Sequence, residues 1–116
     1  MPSQRVGIAL ISGRIERRIR RDFPESGSAP EILRILDALP DTAGYDAGMF
    51  GSERLQAAIV LIAQGSVRRF RKAVELALTD WRDVLMDAEL ADADWPDRLA
   101  AEFGPEHPGR TGQVTA

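Results

Sequence analysis

Cysteine is absent from the 116 residues, so disulfides and thiolate metal sites are excluded. Histidine occurs once, as His107 between Glu106 and Pro108, in a Gly/Pro/Thr-rich stretch. A catalytic base has to be oriented by a third group within hydrogen-bond reach, and that stretch supplies none. Lysine also occurs once, as Lys72. Long apolar runs are missing: Val6 to Ile11 and Ala57 to Ala63 are far too short to span a bilayer, so no membrane segment is expected. Only Arg5 precedes the first of these runs and a charged stretch follows it, which is not a signal-peptide pattern. A cytoplasmic protein is the expectation.

Ligand-binding loops are missing too. Gly44, Gly48 and Gly51 have neither the Lys-Ser/Thr ending of a phosphate loop nor a preceding strand. Counted from Asp92, a calcium loop would need a glutamate where Phe103 stands, a side-chain oxygen where Pro96 stands and the central glycine where Asp97 stands. The aspartates in that run read better as charges favouring a helix N-terminus. No metal, no cofactor and no enzymatic constellation is expected.

Charge is present and unevenly placed. Residues 1–22 hold six arginines against Glu16 and Asp22, a local charge of +4, whereas residues 79–106 hold nine acids against Arg82 and Arg98, a local charge of −7. The net charge of −3 conceals a polar chain.

Apolar spacing is helical throughout. Ile8, Ile11, Ile15 and Ile19 form one stripe, with Arg14, Arg17, Arg18 and Arg21 on the adjoining face. This predicts a helix over 13–22. Its backward extension through Gly13 and Gly7 is expected because Val6 to Ile11 finds no second strand with which to pair. Ser28-Ala29-Pro30-Glu31 matches a capping box that opens a helix buried through Ile32, Ile35, Leu36 and Leu39 and stopped by Pro40. Asp41 to Gly51 reads as a loop, part of which packs over the core through Tyr45, Met49 and Phe50. The segment from Glu53 to Gln64 is apolar nearly all round and therefore central. Gly65-Ser66 turns it into a hairpin with Val67 to Leu78. Asp80 and Asp94 are expected to cap the last two helices, 81–91 and 95–103, the latter ending at Gly104-Pro105.

The fold expected is an all-α, compact single-domain bundle of five to six short helices built from antiparallel hairpins. It covers 1–104, is densest over 53–103, and leaves 105–116 as a disordered tail. Glu53-Arg54-Leu55-Gln56-Ala57-Ala58, Asp80-Trp81-Arg82-Asp83 and Asp94-Trp95-Pro96-Asp97-Arg98-Leu99 resemble a group of small, uncharacterised, all-helical bacterial proteins. The resemblance covers about half of the chain and implies the fold without implying an activity, cofactor or partner. Trp81 and Trp95 are expected to anchor their helices against the central one as core residues.

These observations favour a non-catalytic protein–protein interaction module, with a protein partner or a homodimer. Weak, sequence-independent nucleic-acid binding is the alternative, through Arg14, Arg17, Arg18, Arg21, Arg68, Arg69, Arg71 and Lys72. An enzyme without a recognisable motif comes third. Residues 57–74 resemble a helix-turn-helix only superficially, because Gln64, Ser66 and Arg71 occupy positions that are normally apolar there. Arg68 and Arg69 sit in the first turn of their helix, where positive charge is disfavoured by about 0.3–1 kcal/mol each, so they are candidates for a functional surface. A far-UV circular dichroism spectrum dominated by helix is the expected outcome; one dominated by strand would overturn the fold.

Overall fold

Serine hydroxyls decide where three of the helices start. The computed structural model describes residues 11–105, which form α1 (Gly13–Asp22), α2 (Ser28–Ala43), α3 (Ala47–Phe50), α4 (Glu53–Ala63), α5 (Val67–Asp87) and α6 (Trp95–Phe103). No strand occurs among the described residues, and the fold is all-α. Ser12, Ser52 and Ser66 each have extended backbone, and each accepts a hydrogen bond from the N–H three residues on, at 3.4, 3.1 and 3.1 Å. Helix α1 therefore begins at Gly13. The expected backward extension fails at Ile11 and Ser12, and residues 5–10 lie outside the described residues, as do residues 106–116 of the expected tail.

The capping box at Ser28 does not form. Ser28 is already helical, its N–H bonds to Glu25 O at 3.0 Å, and Gly27 at φ +85° is the N-cap. The Glu31 carboxylate is thereby released to pair with Arg71 on α5. Pro40 does not stop α2 either. A proline this close to the helix end deletes one backbone bond, and the last turn is held by Thr42 Oγ1 donating to Ala38 O at 3.0 Å. Gly44, at φ +78°, closes the helix with its N–H on Pro40 O. The expected long loop thus shrinks to a turn and the short α3. It packs down as expected through fully buried Phe50, while Tyr45 stands edge-on to that ring at 5.3 Å and remains half exposed.

Helix α4 is the centre of the bundle. Every residue from Leu55 to Val60 is buried, and α5 packs along it as the second arm of the expected hairpin. Ile15 and Ile19 of α1, Ile32, Leu36 and Leu39 of α2, Phe70 of α5 and Leu99 of α6 complete the core. Phe23 meets Phe70 edge-on at 6.3 Å, joining the end of α1 to the start of α5.

Helix α5 contains the predicted boundary at Asp80. That residue alone leaves the helical region (φ −160°, ψ 93°), and its carboxylate accepts from Arg82 N–H at 3.1 Å, so it caps the second segment within a kinked helix. The second segment stops at Asp87, short of the expected Ala91. Leu90 N–H reaches back to Leu85 O at 2.8 Å and Glu89 N–H to Met86 O at 3.0 Å, a Schellman closure that buries Leu90 completely. Asp94 sits at the N-cap of α6 without a side-chain capping bond, contrary to expectation.

The tryptophans pack against the core as expected but at its edge rather than inside it. Both are half buried and both lie under an arginine: Arg82 over Trp81 at 4.6 Å and Arg54 over Trp95 at 5.0 Å. Arg54 also donates to Leu90 O at 2.8 Å, so α4 grips the α5–α6 connection through one guanidinium.

Two stability outcomes follow from this packing. Gly65 has φ +77°, and a Cβ there would lie 3.0 Å from Asp22 O, whereas Gly44 shares the positive φ but faces open space. In urea denaturation Gly44→Ala should lose about 1 kcal/mol and Gly65→Ala distinctly more; equal losses would mean that the approach of α1 to this turn is not tight. Phe70→Ala should cost about 3–5 kcal/mol, and Trp81→Ala, at a half-buried position, clearly less.

Candidate anion-binding and partner-binding surface

Helical spacing places Arg14, Arg17, Arg18 and Arg21 side by side on α1, where they line an open cleft of about 440 Å³ with Arg20, Glu102 and Phe103. Only part of that charge faces a visitor. Arg14 is buried: its Nε and Nη2 donate to the two Glu53 oxygens at 2.6 and 2.8 Å, and its Nη1 donates to Gly104 O at 2.8 Å. Ser12 Oγ adds a third bond to Glu53, at 2.6 Å. Arg18 pairs with Asp22 at 2.9 Å, donates to Glu102 O at 2.8 Å and lies over the Phe103 ring at 5.0 Å. Arg20 pairs with Glu16, and Arg21 leans on Asp22 at 3.3 Å. Arg17 alone of this group makes no ion pair among the described residues.

The second basic group is similarly divided. Arg71 pairs with Glu31 across to α2. Arg69 Nη1 donates to Gln64 Oε1 at 2.5 Å. Arg68 and Lys72 are exposed and without an ion pair among the described residues. The eight candidate residues therefore do not act as one free basic surface: Arg17, Arg68 and Lys72 are unpaired, Arg14 is structural, and the rest are held by neighbours.

A different arrangement collects Arg69 with residues from the acidic end. An open cleft of about 540 Å³ runs between the α4–α5 turn, the end of α5 and the outer side of α6, lined by Leu61, Ile62, Gln64, Arg69, Asp87, Ala88, Glu89, Arg98 and Glu102. Arg98 Nη2 donates to Glu89 Oε1 at 2.8 Å, while its Nε is buried with no hydrogen-bond partner. Both residues that hold these arginines are left-handed without being glycine: Gln64 at φ 49° and Glu89 at φ 62°. Only one other described non-glycine residue, Asp46, has positive φ. Each such residue is strained by about 1–2 kcal/mol, and strain of this kind concentrates at ligand clamps. Glu102 lines this cleft and the α1 cleft alike, so one acid separates the two arginine groups.

Sequence reasoning grouped Arg69 with the α1 arginines on one basic surface and missed Arg98, Gln64 and Glu89, which share this cleft with it. The available signal was a glutamine directly before Gly65 at a helix end, and a glutamate nine residues ahead of the arginine it holds. Among the described residues no group of three His, Asp or Glu side chains is placed to hold a metal ion, and no helix is long and apolar enough to cross a membrane. His107 lies outside the described residues. No family model, no curated protein and no solved structure matches the chain.

Two substitutions separate architecture from site. Arg14→Ala leaves the Glu53 carboxylate without its main partner and should destabilise the fold by about 3 kcal/mol, the lower end for a broken buried pair because Glu53 keeps 24 % exposure. Glu89→Gly relieves left-handed strain of about 1 kcal/mol and gives up an exposed ion pair of at most about that size. Its melting temperature should match or exceed that of the wild type; a marked fall would show that Glu89 serves the fold rather than the cleft.

Proposed function

We propose that this chain is a non-catalytic protein–protein interaction module that docks partners at the cleft between α5 and α6. The observation that carries the reading is the pair Arg69 and Arg98, each held at the cleft by an acceptor on a strained left-handed residue. The surroundings suit a protein partner. Half-buried Leu61 and Ile62 and buried Ala88 supply apolar surface. Met86, 62 % exposed, precedes the cleft-lining Asp87. Arginine and methionine are enriched at interfaces, which pair an apolar centre with a polar rim.

Charge extends the reading to self-association. Asp83, Asp87, Asp92, Asp94 and Asp97 are exposed and make no ion pair among the described residues, while Arg17, Arg68 and Lys72 are unpaired at the basic side. A second copy offers each group its complement. The nucleic-acid alternative is less well supported, because phosphate-backbone affinity scales with the number of cations free to neutralise phosphates, and most of the arginines already have partners.

Light scattering after size exclusion in low and in high salt tests the reading. The expected outcome is an oligomer in low salt that dissociates as salt rises, and its loss in the Arg69→Glu, Arg98→Glu variant with an unchanged helical spectrum. A monomer at both salts, with no partner retained from lysate, would overturn it.

A further inference from the structure

We infer that a second copy of this chain docks along the outer face of α6 and antiparallel to it, so that Arg17 of each copy pairs with Asp97 of the other. This inference rests on the self-association reading and names the contact. The place of Arg17 points to it first. Its guanidinium is exposed and makes no ion pair among the described residues. Although it belongs to α1, it reaches the carboxy-terminal cap of α6: a Cβ on Gly104 would lie 3.7 Å from Arg17 Nη2. Asp97 stands exposed in the first turn of the same helix, also without an ion pair among the described residues. One helix thus has an unmatched negative charge at its start and an unmatched positive charge, brought by α1, at its end.

Spacing lets the two charges complement each other about a two-fold axis. Asp97, Ala100, Ala101 and Gly104 follow at steps of three and four residues and share one face of α6. Asp97 and the cap are about 10 Å apart along the helix. Midway between them lie Ala100 and Ala101, both exposed, so an axis passing there meets no side chain longer than a methyl group. Leu99 and Phe103 on the opposite side of α6 are buried in the core. An antiparallel copy therefore brings its Asp97 to this Arg17 and its Arg17 to this Asp97, the reciprocal relation an isologous contact requires.

Complementarity also selects the occupant. The cleft that Arg17 lines holds five arginines against Glu102, and exposed Asp92 and Asp94 precede Asp97, so each charge is surrounded by its own sign. An acidic peptide or a nucleic-acid backbone would suit Arg17 and be repelled at Asp97, and a basic segment would do the reverse. A second copy satisfies both. Arg98 and Glu102, the α6 wall of the α5–α6 cleft, flank this face, so the two surfaces adjoin. A nine-residue helix buries little area, and exposed ion pairs are individually weak, so the dimer is weak and salt-sensitive.

The experiment is sedimentation equilibrium of the full chain in low salt over a range of concentrations. Arg17→Glu alone and Asp97→Arg alone should each weaken association at least tenfold with an unchanged helical spectrum, because each homodimer then sets like charges together. An equimolar mixture of the two variants should recover wild-type association, since every replaced side chain meets the opposite charge on the other copy. Undiminished association of either single variant, or a mixture as weak as its components, would overturn the inference. A monomeric wild type that retains a partner from lysate defeats this inference alone. Recovery in the mixture, with full association of the Arg69→Glu, Arg98→Glu variant, defeats docking at the α5–α6 cleft alone.

Discussion

Arg14 and Glu53 set the relation of three helices. One guanidinium at the start of α1 satisfies both oxygens of the first residue of α4 and the carbonyl of Gly104, the residue that caps the end of α6. Only 6 % of the Arg14 side chain is exposed, so this charge is tolerated inside the fold because its partners are arranged around it. Ser12, which caps α1, donates to the same carboxylate, so the start of α1 and the start of α4 are locked together. Arg18, one turn further along α1, repeats the pattern at Glu102 and Phe103. The position of α6 is therefore held from α1 by two arginines and from α4 by Arg54. The α5–α6 cleft inherits its geometry from these contacts, because Arg98 and Glu102 both ride on α6.

Much of the polarity of the chain is consumed in this way. The basic amino-terminal stretch looks, as a string, like a surface for an acidic partner. In three dimensions Arg14, Arg18, Arg20 and Arg21 are each fixed to an acid or a carbonyl, and of the described arginines in that stretch Arg17 alone is left over. The opposite holds at the acidic end, where five aspartates stay in water and Arg98 pairs with Glu89 at the surface. Local charge summed along a sequence does not forecast which charges remain available. Long-range pairs decide it, with separations of 39, 84 and 90 residues for the contacts of Arg14 and Arg18.

Legibility followed the range of the interaction. Helices whose limits depend on neighbours a few residues away were mostly readable: α4 and α5 begin at Ser52 and Ser66, Asp80 breaks α5 where a capping aspartate was expected, and Gly104 ends α6, whereas the cap at Ser12 was overlooked in favour of a longer α1. Misreadings arose where a nearer or farther competitor won. Ser28 lost its capping role because Glu25 O took its N–H first, and Glu31 was drawn away by Arg71 from another helix. Pro40 failed to stop α2 because a missing N–H near a helix end removes a single bond, which Thr42 and Gly44 offset. Trp81 and Trp95 sit where an amphipathic stripe places them, but the stripe cannot tell a ring under methyl groups from a ring under a guanidinium. The cleft itself was hidden, since its two arginines lie 29 residues apart and the left-handed conformations that hold them are not the habit of glutamine or glutamate.

The tight Gln64–Gly65 connection orders events during folding. Its two arms are adjacent in the chain, so the α4–α5 hairpin closes a short loop and gains contacts at low sequence separation, the kind that form early. Helix α1 must wait, because its clamps reach to Glu53 and Gly104. When it arrives, its last carbonyl meets bare backbone at Gly65, where any side chain would stand in the way. That glycine acts as a landing place for a late helix. Sub-global opening should accordingly run in reverse, with α1 detaching as a unit while α4 and α5 stay paired, so that backbone amides of α1 exchange with solvent water well before those of the hairpin.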